Sequence, residues 1–314
     1  MSGKLAAIAM VKDECDIIEL FVKINCRSFD HIYIIDHNSQ DGTLEILLTL
    51  KAHGFPITIY KYESTDFQQA ILLTNLARQI AATEAYRYIV PLDADEFFSC
   101  HQAELIQAFD KEIPADGCGV LRWITYGPTS TDYYQSNAPL YELFRARSHE
   151  TQQRYKVVIP NEVAKTCLIG EGNHAVRASM ESPWLTGPVL SVPLQHVPIR
   201  SPDQITAKAL IGSMTLSIKK TRGKNEGGHW DDLTNKLVAN RYQLSFDDLT
   251  GFVDHYAGTP QEGVALYDDQ APRIGLPTDR IDLTAQARIN LIQKLHQFGQ
   301  RLCASIRQTQ SAAA

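Results

Sequence analysis

The run Tyr88-Ile89-Val90-Pro91-Leu92-Asp93-Ala94-Asp95-Glu96-Phe97-Phe98 ends an apolar stretch with three carboxylates around one alanine. An apolar run of this length, followed by polar residues, reads as a buried strand. Strand side chains alternate between faces, so Asp93 and Asp95 are expected to project the same way and Glu96 the other way. Two hard oxygen donors on one side can hold Mg2+ or Mn2+ against a diphosphate. Carboxylates this close repel one another unless a cation or a proton intervenes. The chemistry implied is metal-assisted work on a phosphate ester. Asp-x-Asp alone is a short pattern that arises by chance. Its place after a strand strengthens it, because ligands of α/β sheets gather beyond the carboxyl ends of the strands.

The surrounding elements must deliver that strand end. Leu5–Val11, His31–Asp36, Phe55–Tyr60 and Arg87–Leu92 read as strands. Ile17–Cys26, Leu44–Leu50 and Gln69–Ala85 between them carry apolar residues at helical spacing. The succession β-α-β-α-β-α-β predicts parallel crossovers and a Rossmann-like half whose active edge lies at the strand carboxyl ends. Those ends carry Lys12-Asp13-Glu14, Asp36-His37-Asn38-Ser39, Glu63-Ser64-Thr65-Asp66 and Asp93-Ala94-Asp95, four polar clusters on one rim. Beyond residue 100 a short helix at Ala103–Phe109 precedes a strand at Gly119–Ile124 that could join the sheet, antiparallel to it. Short strands are expected at Lys156–Ile159, His174–Arg177 and Val189–Val197. A helix is expected at Pro202–Thr221, a loop at 222–230 and an amphipathic helix at Leu283–Ile306. The expected organisation is a domain over 1–230, with a donor half at 1–100 and an acceptor half at 101–230. A C-terminal helical extension at 231–314 would pack on the same domain.

The chain has 314 residues, 44% of them hydrophobic and 21% charged, which suits a globular protein with a full core. Its net charge is -6, so no basic field marks it for nucleic acid. The cysteines (Cys15, Cys26, Cys100, Cys118, Cys167 and Cys303) form no Cys-x-x-Cys pair and read as free thiols of a reducing compartment. The first residues run directly into Lys12-Asp13-Glu14 and read as a strand, not a targeting segment. No stretch approaches the ~20 apolar residues of a spanning helix. The expected location is cytoplasmic, with at most peripheral contact at the inner face of the membrane.

Four segments in order carry a resemblance. They are Val11-Lys12-Asp13-Glu14, Ile34-Ile35-Asp36-His37-Asn38-Ser39-Gln40-Asp41-Gly42-Thr43, Gln68-Gln69 and Leu92-Asp93-Ala94-Asp95-Glu96-Phe97. Together they resemble the family 2-like glycosyltransferases of GT-A fold, in the branch with an Asp-x-Asp-Glu-Phe core. Weaker echoes lie at Gly172-Asn173-His174 and Gln195–Pro202. The resemblance implies an α/β fold of GT-A type, a Rossmann-like mixed sheet flanked by helices. It implies transfer of a sugar from a nucleoside-diphosphate sugar (UDP or GDP type) to a hydroxyl of a glycan or glycolipid. The setting it suggests is bacterial surface polysaccharide assembly. Lys12, Asp13, Glu14, Asp36, Asn38, Ser39, Asp66 and Asp93 are the implied donor contacts. Asp93 and Asp95 are the implied ligands of Mn2+ or Mg2+, and His196 a further one, since imidazole suits Mn2+. Two departures stand out. Asp13 and His37 occupy positions where the branch carries asparagine, which leaves the nucleotide open.

Arg200, Lys208 and Lys224 are the cationic candidates for the diphosphate, Lys224 within a Lys219–Trp230 run that reads either as a lid or as a solvated loop. Trp123, Tyr126, Tyr133 and Tyr134 could stack on an acceptor sugar or fill core. An inverting course, which the family favours, needs a base. Glu162, Glu171, Asp231 and His174 are the candidates. The family's usual downstream Glu-Asp pair is not apparent, and retention stays open. Two rival readings exist. A sugar-phosphate nucleotidyltransferase would open with a glycine-rich phosphate loop, whereas the first strand here leads into Lys12-Asp13-Glu14. A binding module without turnover would share the fold and lack the chemistry.

Overall fold

The computed structural model describes residues 3–64, 68–83, 86–129, 144–151, 154–185, 187–217, 228–258, 265–268, 270, 271, 274 and 294–304. Eleven strands are described: β1 Leu5–Val11, β2 His31–Asp36, β3 Ile57–Lys61, β4 Tyr88–Leu92, β5 Glu96–Phe97, β6 Gly119–Pro128, β7 Phe144–Ala146, β8 Tyr155–Pro160, β9 Leu168–Ile169, β10 Val176–Arg177 and β11 Leu194–His196. The helices are α1 Ile18–Asn25, α2 Thr43–Ala52, α3 Gln69–Thr83, α4 Gln102–Glu112, α5 Asn161–Ala164, α6 Pro202–Ser217, α7 Gly228–Ala239 and α8 Phe246–Ala257. Residues 294–304 form a further helix, α9.

The main sheet runs β3-β2-β1-β4-β8-β6-β11-β5, with β7 on β6. Its first four strands are parallel, as the alternating pattern requires. β8 joins β4 antiparallel and β6 joins β8 antiparallel, so the sheet is mixed. β1 shows why the apolar strands are unbroken runs. Leu5, Ala7, Ala9 and Val11 enter the core beneath α1 and α2, while Ala6, Ile8 and Met10 enter the core beneath α3. A strand covered on both faces has no polar side to show. Pro91 sits in β4 opposite Ile8 of β1. It is tolerated because β8 pairs only with Tyr88 and Ile89, so no ladder partner waits for its missing N–H.

Past β11 the chain turns helical. α6, α7 and α8 share a small core of Ile205, Ala209, Leu233, Leu237, Leu249 and Phe252. Ser245 caps α8 reciprocally with Asp248. α8 lies against β6, where a Cβ on Gly127 would stand 3.1 Å from the Val253 methyls.

Three expectations differ in detail. β11 is shorter than Val189–Val197: Val189 makes only an isolated bridge to Val120, and Pro193, with no N–H to donate, delays the strand to Leu194. His174 lies before its strand, as the residue ending a short turn at Glu171–Asn173. Gly228, His229 and Trp230, expected in a loop, begin α7, where the Trp230 ring packs on Gly212 of α6. Residues 218–227, with Lys224 and most of the proposed lid, lie outside the described residues, as do Asp66, Tyr133 and Tyr134.

Candidate active site

β4 stops at Leu92, and a tight turn carries the chain through Asp93, Ala94 and Asp95 into β5. Glu96 closes that turn: its carboxylate accepts from the Asp93 N–H at 2.8 Å and from the Trp123 indole N–H at 2.8 Å. Strand alternation therefore ends before the acids, and the expectation that Asp93 and Asp95 face one way gives way to separate partners. Asp93 bonds the Lys156 ammonium at 2.5 Å and accepts from Gln69 at 3.1 Å. Asp95 lies 3.5 Å from Arg200, 3.4 Å from Lys208 and 3.9 Å from His196.

Lys156, from β8, is fully buried and also reaches Glu96 at 3.3 Å and the Gly172 carbonyl at 2.9 Å. Gly172 holds φ 69°, and a Cβ there would stand 2.6 Å from the His174 Nε2. Only glycine fits that turn. The next residue, Asn173, is also left-handed at φ 62° and aims its amide at Asp93 from 3.4 Å.

Arg200 is buried and forks onto Asp16, with Nε at 2.6 Å and Nη2 at 3.1 Å, while Nη2 also donates to Glu14. Lys208 lies 3.6 Å from the other Glu14 oxygen. Five carboxylates (Glu14, Asp16, Asp93, Asp95 and Glu96) thus face three permanent cations (Lys156, Arg200 and Lys208). Burial raises the Glu14 and Glu96 carboxyls, with a smaller push from neighbouring acids and against the pull of the cations. Asp95 goes the other way: burial would raise it, and Lys208 and its neighbours hold it well below the usual carboxylate range.

His196 pairs across the sheet with Glu96, on the rung next to Gln195 and Phe97. Its ring is buried against Trp123, and burial pushes its pKa down to about 4. His196 is therefore a neutral imidazole at neutral pH. Its Nδ1 is buried without a hydrogen bond, and Nε2 faces Asp95. His174 lies at the other edge of Trp123, ring centroids 5.9 Å apart. Its Nδ1 meets the Tyr155 carbonyl at 2.7 Å. A carbonyl only accepts, so Nδ1 carries the proton and Nε2 keeps its lone pair. Burial, then Lys156, lowers its pKa.

The loops after β1 and β2 are stitched together. The Asp13 N–H donates to Ser39 Oγ at 3.0 Å, and the Gln40 N–H donates back to Asp13 at 2.8 Å. Asp36 accepts from the Ser39 N–H at 3.2 Å, and its second oxygen is buried without a partner. Burial raises that carboxyl. Lys12 stands on the same loop, its pKa lowered by burial and then by Arg301.

The cluster thus gathers Glu14, Asp93, Asp95, His174, His196, Arg200 and Lys208 from among the expected residues. Glu14 faces Arg200 and Lys208 rather than the loop of Lys12 and Asp13. Glu162 stays out: its carboxylate is exposed and pairs with Lys165 at 2.7 Å. Asp231 accepts from Ser213 at 2.9 Å in the α6–α7 contact. Glu171 is exposed on the turn before Gly172. Asp93, Asp95 and His196 do not meet as a ready set of ligands, because Asp93 is drawn to Lys156. Among the described residues, no three such side chains are poised around one point. Lys156, Asp16 and Tyr256 were missed. Lys156 sits in an apolar strand pattern where a lone lysine signals burial with a partner, a cue available in the sequence. Tyr256, on α8, meets His196 edge-on at 5.3 Å and carries no such cue.

The family model for glycosyl transferase family 2 matches residues 11–170, just over half of the chain. No curated protein matches the sequence. Among solved structures, the mannosyltransferase PcManGT from Pyrobaculum calidifontis, in complex with GDP-Man and Mn2+, is similar over 82% of this chain and 76% of its own. The identity is 14% and the TM-score 0.38. TarS from S. aureus is similar over 77% of this chain at 12% identity and a TM-score of 0.35, and the match spans 44% of the TarS chain. HddC from Yersinia pseudotuberculosis matches over 62% of this chain and 94% of its own, at 6% identity and a TM-score of 0.33. No described helix is long and apolar enough to cross a membrane. The matched segment runs from the end of β1 to β9 and contains both stitched loops and the Asp93–Glu96 turn, and on that match the chain belongs to glycosyl transferase family 2.

Proposed function

We propose that the protein transfers a sugar from a UDP- or GDP-type nucleoside-diphosphate sugar to a hydroxyl of a glycan or glycolipid, in assembly of a bacterial surface polysaccharide. The observation that carries the reading is the charge imbalance at the end of β4, where five carboxylates face three cations. A cluster so rich in carboxylates suits a divalent cation, and the neutral His196 imidazole beside Asp95 adds a nitrogen donor to it. Asp95 and His196 would hold it, and Asp93 would join them only on leaving Lys156. Such an ion, when bound, offsets charge on the departing diphosphate.

The chain's own residues supply the rest. Arg200 and Lys208 keep Asp95 ionised and lie beside it, where they can also meet phosphate oxygens. Asp36, with its unpartnered oxygen buried at the end of β2, is suited to a hydroxyl or ring N–H of the nucleoside. His174 is the base for the acceptor hydroxyl: Nδ1 is anchored, Nε2 is free to accept, and the lowered pKa keeps it unprotonated at neutral pH. That assignment accords with an inverting course.

The test is a transfer assay across UDP- and GDP-sugars with Mn2+ or Mg2+, run for the wild type and Asp95→Asn. Turnover by the wild type and a loss of roughly 10- to 100-fold in the variant is expected. A folded Asp95→Asn protein that transfers sugar at the wild-type rate would sink the assignment.

A further inference from the structure

Two residues of the stitched loops hold left-handed backbones without being glycine: Asp13 at φ 56° and Asn38 at φ 54°. Left-handed backbone is costly for side chains with a Cβ, so such turns persist only where their surroundings fix them. Besides the bonds with Ser39 and Gln40, fixing groups come from the far end of the chain. Lys294 Nζ on α9 donates to the Asp13 carbonyl at 2.7 Å, and Arg301 Nη1 donates to the Asn38 carbonyl at 2.8 Å. Lys294 is buried and also pairs with Asp41 at 3.0 Å, while Arg301 Nη2 lies 3.9 Å from the Asp13 carboxylate.

We propose that α9 is a clamp on the donor site, in which Lys294 and Arg301 are positioning residues that set the Asp13 and Asn38 turns and so shape the surface that takes the nucleotide. The proposal rests on the donor reading above. Two independent features carry it. The first is geometric: each of the two turns receives one cation, and each cation reaches the carbonyl of the left-handed residue itself. A helix that merely packed on the domain would need Phe298, which it buries, and would leave its charged side chains to water. The second is electrostatic. Asp13, Asp36 and Asp41 crowd the ends of β1 and β2, where Asp13 and then Asp41 add to the burial that raises Asp36. An anionic nucleotide would be repelled from three unscreened acids; Lys294 and Arg301 supply the screening charge.

The experiment is calorimetric titration of the full chain with UDP and with GDP, each with MnCl2. It compares the wild type with Arg301→Gln, Lys294→Met and the conservative Arg301→Lys. Arg301→Gln and Lys294→Met should weaken nucleotide binding roughly tenfold, the scale on which supporting residues act, and Arg301→Lys should recover part of the loss. Arg301 is less buried than Lys294, so Arg301→Gln is the milder change and decides the matter should Lys294→Met not fold. Unchanged affinity in Arg301→Gln overturns the clamp and leaves the donor reading standing. A wild type that binds neither UDP nor GDP overturns both.

Discussion

The His196 imidazole lies flat on the Trp123 indole, ring centroids 4.1 Å apart and planes inclined by 19°. The same indole donates its N–H to Glu96 at 2.8 Å, so one side chain supports both the imidazole and the carboxylate that closes the acidic turn. Trp123→Phe keeps an aromatic face but deletes the donor and trims the ring, so a packing loss adds to that of the hydrogen bond. It should cost about 2–4 kcal/mol of stability, the loss of one buried hydrogen bond together with that of the lost ring volume. Urea denaturation measures it, and a variant as stable as the wild type would show that Glu96 does not depend on the indole.

Lys156 is the sole buried cation between Asp93 and Glu96 among the described residues. Lys156→Met leaves those acids without their partner and should destabilise the fold by about 3–5 kcal/mol. Adding Glu96→Gln should recover part of that loss, because residues in one network are not additive. Equal and additive losses in a denaturation series would contradict the network.

His174 and Glu162 separate the two kinds of base candidate. His174→Gln should lower kcat by roughly 10²–10⁴ and remove the acidic limb of the pH–rate profile. Glu162→Gln should stay within about twofold, since a surface pair with Lys165 is worth less than about 0.5 kcal/mol. A reversed order of losses in steady-state assays would move the base to α5.

The Lys294–Asp41 pair predicts a pH profile for stability. Burial would raise Asp41, yet Lys294 holds it below its ordinary value. Its contribution is therefore present above about pH 4 and lost as pH falls through the lowered native value. Burial would lower Lys294, yet Asp41 and Asp13 raise it. Its contribution is full below about pH 10 and lost as pH rises through the raised native value. Thermal melts of Lys294→Met should show a shallower fall at both extremes than the wild type. Parallel curves for the two proteins would exclude the pair as a source of pH dependence.

The first four strands were legible because each is an apolar run between turn signals, and their parallel order follows from helices that fill every connection. The acidic turn was legible as chemistry, since Asp93, Asp95 and Glu96 follow a strand within four residues of one another. Its geometry was not. The period-two rule holds only while the strand lasts, and β4 ends at Leu92, before either aspartate. Lys156 was legible as a buried lysine but not as a partner of Asp93 and Glu96, and nothing local ties Asp16 or Tyr256 to the cluster. Each arrives through a tertiary contact: Lys156 on β8, Asp16 before α1 and Tyr256 at the end of α8. The left-handed Asp13 and Asn38 were hidden for a related reason, as both types also occupy ordinary turns.

The rung that sets His196 opposite Glu96 joins positions a hundred residues apart in the chain. A polypeptide emerging from the ribosome completes β1 to β4 long before Arg200, Lys208 or His196 exists to meet Asp95. Until then the Asp93–Glu96 turn carries its acids without those counter-charges, and water must screen them. Completion of the candidate site is therefore a late event in synthesis, since Arg200 and Lys208, its counter-charges past β11, follow its acids by a hundred residues or more.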